Sequence, residues 1–170
     1  MQRVFFDLVV NLIPEAMKNI ILLLCFLITS VVYSQDIVVK DGLYTQNELV
    51  YTGKYTLFFP NKKIKELLTI KDGKLNGEVV KYHANGNKWE IEQYEDNLKI
   101  GTWVRYNKNG KVIAEASYKN DKKDGNWIIY SDKGVKLFEM KYVDGEKTGV
   151  WTQRDEKGNV LKTTNYTSVL

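Results

Sequence analysis

The chain has 170 residues, enough for a leader and one domain, and its 25 basic and 21 acidic residues leave a net charge of +4. The two signs are interleaved, so the one-sided basic cluster that nucleic-acid binding requires is missing, and we expect no nucleic-acid partner. One cysteine and one histidine exclude a disulfide framework, a Cys–His nucleophile pair and a multi-histidine metal cluster in the mature protein.

The segment before Gln35 predicts export. Residues 17–34 have the order of a signal peptide: a positive start, an apolar run over 20–28, and a polar tail that ends before Gln35. The run is shorter than the roughly 20 residues that span a bilayer. An uncleaved anchor that also uses residues 4–13 is the alternative, although Asp7 and Pro14 interrupt it. Residues 1–16 are then an upstream extension, the start is Met1 or Met17, and the protein is periplasmic, cell-surface or secreted.

A 24-residue period governs the rest of the chain, and such self-similarity indicates a repeat array. Glycine opens each unit, at Gly53, Gly77, Gly101, Gly125 and Gly149. Two positions later stand Tyr55, Val79, Trp103, Trp127 and Trp151. Five positions after the glycine stand Phe58, Tyr82, Tyr106, Tyr130 and Arg154. Seventeen positions after it stand Ile70, Tyr94, Tyr118, Tyr142 and Tyr166.

One unit, residues 101–124, shows what each repeat forms. Residues 102–106 and 111–118 are rich in β-branched and aromatic side chains and predict two strands. A first turn lies at 107–110, and a second begins at Asn120 and closes on Gly125. Two strands and two turns leave no room for a helix. The predicted fold is therefore all-β, an elongated antiparallel β-meander of five hairpin repeats: 53–76, 77–100, 101–124, 125–148 and 149–170.

Glycines are assigned to the turns of this meander, and the segment before it to a cap. Residues 35–52 contain a half repeat, which we expect to cover the exposed edge of the first hairpin. Repeat one makes its first turn at Pro60 and Asn61, with Lys62 in the glycine position. The predicted structural turn residues are Gly53, Gly77, Gly86, Gly101, Gly110, Gly125, Gly134, Gly149 and Gly158.

The spacing of glycine, aromatic, tyrosine, Asn/Asp-x-Gly turn and second tyrosine resembles the bacterial variant of the MORN repeat. The resemblance covers residues 43–166 and includes the Tyr-Thr-Gly entry that ends at Gly53. It implies a hairpin array of the YwqK-like antitoxin family, a name that carries toxin neutralisation without fixing a site. MORN arrays are also similar to scaffolds, and some are linked to membranes. Lys62, Val79 and Arg154 depart from the pattern and weaken the outer repeats as parts of a binding row.

The candidate catalytic residues have simpler structural explanations. His83, the only histidine, is predicted to be a solvated turn residue. Glu90 and Glu92 share a strand face and could serve glycoside chemistry, but a solvated face is the expected role. Aspartates at the turns are turn formers, and their spacing matches no calcium loop. We therefore predict no enzymatic activity, no catalytic residue, no metal and no cofactor.

The aromatic rows are the candidate binding surface, with internal packing as the competing role. Trp103 and Tyr106 are an odd number of residues apart, so either both faces carry aromatic rows or a bulge resets the alternation. The expected function is binding of an envelope protein. A specific version of this expectation is that the protein neutralises a toxin, as an immunity protein does. Alternatives are a carbohydrate or envelope polymer, favoured by solvent-facing tryptophans, and a membrane-surface scaffold; a mixed aromatic and charged patch favours protein. The predicted binding residues are Trp103, Tyr106, Tyr118, Trp127, Tyr130 and Tyr142.

Overall fold

The computed structural model describes residues 36–166, so the predicted extension at 1–16 and signal peptide at 17–34 lie outside the described residues. The described part is built of antiparallel strands, as predicted, and contains no helix that could span a membrane. Its strands are β1 (Val38–Lys40), β2 (Leu43–Gln46), β3 (Leu49–Val50), β4 (Gly53–Phe58), β5 (Ile64–Lys71), β6 (Lys74–Leu75), β7 (Gly77–Tyr82), β8 (Lys88–Glu95), β9 (Leu98–Tyr106), β10 (Val112–Lys119), β11 (Lys122–Tyr130), β12 (Lys136–Val143), β13 (Glu146–Arg154) and β14 (Val160–Tyr166).

The strands form two sheets that follow chain order. The 3-stranded sheet runs β1-β2-β3, and the 11-stranded sheet runs from β4 to β14, with the short β6 paired to β5. Every pairing is antiparallel and, apart from that of β5 with β7, joins strands that are adjacent in the chain. The meander of hairpin repeats is therefore confirmed over the described residues.

The first turn of each repeat is a loop whose last residue is left-handed. In repeat three the Asn107 N–H bonds the Lys111 carbonyl, and the Gly110 N–H bonds the Asn107 carbonyl. Gly110 has a φ of +79°, the conformation that a three-residue hairpin loop needs at this position. In repeat one Lys62 takes the same place with a φ of +64°, a strained conformation for a residue with a side chain.

The second turn of repeats one to four is shorter than the predicted turn that closes on the repeat glycine. Asn120 and Asp121 both have positive φ, the signature of a two-residue type I′ turn, and β11 begins at the next residue. The same pair of positive φ values occurs at Asp72–Gly73, Asp96–Asn97 and Asp144–Gly145. The turn therefore closes well before the repeat glycine.

This shorter turn overturns one assignment. The glycines that open the repeats do not lie in turns: Gly101, Gly125 and Gly149 lie inside strands, while Gly53 and Gly77 begin strands. Gly125 has a φ of +103°, and a Cβ there would come within 3.0 Å of the Ser117 Cβ. The strand thus needs glycine for both its backbone conformation and its close approach to β10. Gly86, Gly110, Gly134 and Gly158 do lie in the first turns.

The expected edge cover at residues 35–52 does not form by strand pairing. The β1–β3 sheet does not pair with β4, which remains the edge of the larger sheet among the described strands. Instead, Gly73 forms two backbone hydrogen bonds with the N-terminal segment. Its carbonyl oxygen accepts from the Tyr44 N–H, and its N–H donates to the Tyr51 carbonyl. Tyr44 and Tyr51 then pack on the buried cluster of Leu68, Ile70 and Val79. Burial of tyrosine rings, rather than strand pairing, places the half repeat over the first hairpins.

Candidate functional site

The six predicted binding residues do not lie on one face. Trp103 and Tyr106 are an odd number of residues apart in β9, and the register shift near them adds its extra residue to β10 instead. Their side chains therefore point to opposite faces, so both faces of the sheet carry aromatic residues and no bulge in β9 resets the alternation between these two residues. Tyr130 occupies the position of Tyr106 one repeat later, beside Glu115. The structure brings together Trp103, Tyr118, Trp127 and Tyr142 and leaves Tyr106 and Tyr130 on the other face.

The four rings belong to a continuous stack of seven, which we call the ring ladder; the face that carries it is the ladder face. Tryptophan and tyrosine alternate along the ladder because each repeat supplies both from neighbouring strands. Adjacent ring centroids are 4.7 to 5.5 Å apart and tilted by 49° to 63°, the geometry that aromatic quadrupoles favour. The members are Tyr94, Trp103, Tyr118, Trp127, Tyr142, Trp151 and Tyr166.

Each tryptophan of the ladder is fixed by the same hydrogen bond. The indole N–H groups of Trp103, Trp127 and Trp151 donate to the carbonyls of Gln93, Ser117 and Lys141, at 3.2, 3.0 and 3.1 Å. The acceptor stands at the same distance before the donor in all three repeats. Trp103 is only 8% exposed. These rings are therefore packed and oriented by the fold, and little of the Trp103 ring face is open to a ligand.

A row of lysines lies over the ladder, and sequence reasoning missed it. The Nζ of Lys123 is 4.2 Å from the ring centroid of Trp127 and 4.8 Å from that of Tyr142. Lys99 and Lys147 repeat this arrangement one repeat earlier and one repeat later. We call Lys99, Lys123 and Lys147 the lysine row. Their recurrence at one position of successive repeats was visible in the sequence and is the signal that could have found them.

Glu90 and Glu92 are buried, so the expected solvated face is wrong. They are 7% and 2% exposed. Arg105 donates from two nitrogens to one oxygen of Glu90, at 3.2 and 2.9 Å. Glu92 accepts from Lys81 and, at 3.1 Å, from the Tyr94 hydroxyl. Burial of two carboxylates is tolerated because each is paired with a cation from an adjacent strand.

Next to these acids the ladder face has a groove, which we call the alanine groove. Ala116 pairs with Trp103 on one side and Trp127 on the other, while Ala114 pairs with Arg105 and Ile129. Two small side chains between larger ones leave a depression of about 400 Å³. Its lining includes Glu90, Glu92, Lys99, Arg105, Tyr118 and Ile129.

Three of the ladder tyrosines have a raised pKa, which favours their neutral form. Burial, and then the Glu92 carboxylate, raise the pKa of Tyr94 far above its ordinary value. Burial, and then Glu90, raise the pKa of Tyr118, and burial raises the pKa of Tyr142. On the opposite face burial, and then Glu115, raise the pKa of Tyr130. Removing these phenol groups from water disfavours the charged form, so ionisation opposes the fold.

His83 is not a fully solvated turn residue. It is half-buried, its ring lies 6.3 Å from that of Trp89, and its Nε2 is 3.1 Å from the Tyr106 carbonyl oxygen. This contact links the first turn of one repeat to the next. Asn85 forms a parallel link through its bond to the Lys108 carbonyl. Among residues 36–166 no three His, Cys, Asp or Glu side chains are grouped to hold a metal ion.

Three consecutive segments match the MORN repeat variant. They are residues 51–72, 75–96 and 99–120, and each starts one repeat length after the one before. The match supports a MORN-repeat protein and coincides with the first three hairpin repeats of the larger sheet. No curated protein matches the chain.

Proposed function

We propose that this MORN-repeat protein is a non-enzymatic binding protein that recognises a partner protein through its ladder face. The observation that supports this most is the lysine row lying over the ring ladder. A flat row of open tryptophans would favour sugar rings, whereas rings covered by ammonium groups form a mixed aromatic and charged surface. Tryptophan, tyrosine and arginine are enriched at protein interfaces, and the exposed Arg105 lies on the same face as the ladder.

Export and neutralisation are narrower parts of this proposal. The order of charge, apolar run and polar tail at 17–34 supports export, with the partner in the periplasm, at the cell surface or outside the cell. The proposal that the partner is a toxin rests on the resemblance to the YwqK-like family. An exported protein would neutralise a toxin that acts in the envelope, not one that acts in the cytoplasm.

Carbohydrate binding has less support. Stacking on a sugar needs an open ring face, but Trp103 is nearly buried and the Nζ of Lys99 lies 4.8 Å from its ring centroid. A membrane-surface scaffold would use the lysine row as its cationic contact, and it remains the second alternative.

Site-specific crosslinking in the native cells tests the proposal. A photoreactive amino acid is placed at Ile129, which is 41% exposed on the ladder face, and in a matched variant at Val150, which is 57% exposed on the opposite face. We expect one protein adduct, sensitive to protease, from position 129 alone. An adduct resistant to protease, adducts only with lipid, or equal adducts from both positions would contradict partner-protein recognition by this face.

A further inference from the structure

We propose that the alanine groove anchors an acidic segment of the partner, which inserts one bulky apolar side chain beside Ala114 and Ala116 and places its carboxylates against Lys99 and Arg105. This inference rests on the partner-protein function proposed above and adds the chemistry of the segment that is recognised.

The shape of the groove comes from one repeat. The positions of Ala114 and Ala116 hold larger side chains in every other repeat: Glu66 and Leu68, Glu90 and Glu92, Phe138 and Met140, Lys162 and Thr164. Repeat three alone therefore leaves a gap, closed on its sides by neighbouring strands. The gap of about 400 Å³ lies in the lower part of the range of roughly 300–1,000 Å³ typical of ligand sites. That volume suits one or two side chains rather than a folded element.

Part of the groove wall is apolar. Trp103 and Trp127 flank Ala116, and Ile129, one of the exposed large hydrophobic residues, flanks Ala114. Glu115 borders the groove, but its side chain points to the opposite face, beside Tyr130. A bulky apolar side chain in the groove would cover Ile129 and the alanine methyl groups, and burial of such surface favours binding.

The charges around the groove leave one cation without an anion. Lys81 pairs with Glu92 and Arg105 pairs with Glu90, whereas Lys99 makes no ion pair with any described residue. With Glu115, which also borders the groove, three acids balance these three bases, so the cation available to a ligand is that of Lys99. The Arg105 side chain is 50% exposed, and one of its terminal nitrogens has no partner among residues 36–166. Both groups can therefore receive carboxylates of a ligand.

The cationic surface continues beyond the groove, which favours a polypeptide over a small anion. Lys123 lies over Trp127 and Tyr142, one repeat further along the ladder. One repeat spans two strands, or about 10 Å. An acidic segment a few residues long can reach Lys99 and Lys123 together while its central side chain occupies the groove. A single carboxylate compound cannot make both contacts.

Peptide titration tests this inference on the purified mature protein. The probe is a blocked pentapeptide with a central phenylalanine between two pairs of glutamates, and the matched control replaces the glutamates by lysines. We expect saturable changes in the methyl NMR signals of Ala114 and Ala116 with the acidic peptide. Absence of such changes, or equal affinity for the basic peptide, would overturn the inference.

Variants at equivalent repeat positions give the second comparison. Ala116→Leu fills the groove, whereas Thr164→Leu makes the same kind of change two repeats away. We expect Ala116→Leu to lower the affinity for the acidic peptide by at least about tenfold and Thr164→Leu to leave that affinity unchanged. Lys99→Gln should lower the affinity by about threefold, and Lys147→Gln should not change it. Equal losses in both members of either pair, with folding intact by circular dichroism, would contradict an anchor at the groove.

Failure of this inference is distinguishable from failure of the proposed function. A protein adduct from position 129 that survives Ala116→Leu, together with no binding of the acidic peptide, would refute the groove anchor and leave partner recognition standing. Loss of the adduct in the Ala116→Leu variant but not in Thr164→Leu would support both.

Discussion

The indole N–H of Trp127 donates to the carbonyl oxygen of Ser117 at 3.0 Å, and Ser117 directly precedes Tyr118, whose ring lies 5.3 Å from that of Trp127. The hydrogen bond and the ring contact together hold the indole against the sheet. The same pair of interactions recurs around Trp103 and Trp151. The ladder is therefore part of the framework of the fold, while the lysine row and the alanine groove form the surface at which we propose that a partner binds.

Removing one indole should mainly cost stability. We expect Trp127→Ala to lower the free energy of unfolding by about 3 kcal/mol, because it removes a half-buried ring and two aromatic contacts. Trp127→Phe keeps a ring but loses the N–H donor, and should cost about 1 kcal/mol. Urea denaturation measures both. An unchanged midpoint for Trp127→Ala, with loss of partner capture, would show instead that the ring is a binding hot spot.

The raised pKa of Tyr94 predicts instability at alkaline pH. Below about pH 10 the phenol is protonated in both states, so its contribution to stability is complete. Above that pH the unfolded chain releases the proton while the folded protein, with its higher pKa, keeps it. Stability should therefore fall as pH rises through this window, by at most about 1.4 kcal/mol per pH unit for each such tyrosine.

The control for this alkaline effect is Tyr94→Phe. Loss of the hydroxyl bond to Glu92 should lower stability by about 1 kcal/mol at neutral pH. The variant should then lose less stability than the wild type between pH 10 and the alkaline limit of the measurement, because one titrating group is gone. Parallel curves of urea midpoint against pH would contradict the assignment to Tyr94.

The first turn offers a test of backbone strain without a steric clash. A Cβ at Gly110 would meet nothing within 4 Å, but its φ is +79°. Gly110→Val should therefore cost roughly 1–2 kcal/mol or more from the left-handed conformation alone. Lys108→Val, in the same turn without a positive φ, should cost less. Equal thermal midpoints for the two variants would mean that the turn relaxes without strain.

The leader makes a separate prediction. N-terminal sequencing of the protein recovered from the cell envelope should begin at Gln35, because residues 17–34 have the order of a cleaved signal peptide. A substitution of Ser34 by a bulky charged residue should slow cleavage and serves as the control. Recovery of the intact segment from Met17 in the membrane fraction would indicate an anchor instead.

The sequence predicted the meander well because its signals are local. Strand residues, turn residues and the repeat period all lie within one unit, and the structure follows them. The assignment of the five repeat-opening glycines to turns failed because a type I′ turn needs only its two central positions, so that Gly125, for example, falls inside β11. The period alone could not tell a turn glycine from a strand glycine.

The site was harder to predict because it depends on pairs across strands. Burial of Glu90 requires Arg105 from the neighbouring strand, and the alanine groove requires Trp103, Trp127 and Ile129 around two alanines. A strand face with two glutamates is usually solvated, so the sequence favoured that role. The division of Trp103 from Tyr106 likewise depended on where the bulge lies, which β10 determines.

The second turns also determine how the length of this protein can change. The N–H of Asp121 bonds the carbonyl of Lys99, and that of Gly145 bonds the carbonyl of Lys123, so each turn is tied to the repeat before it. Duplication or loss of a whole repeat restores every such partner. Insertion of a single residue into a strand would instead turn the following rings to the other face. Natural variation in size is therefore expected in whole repeats, with the number of ladder rings changing by two at each step.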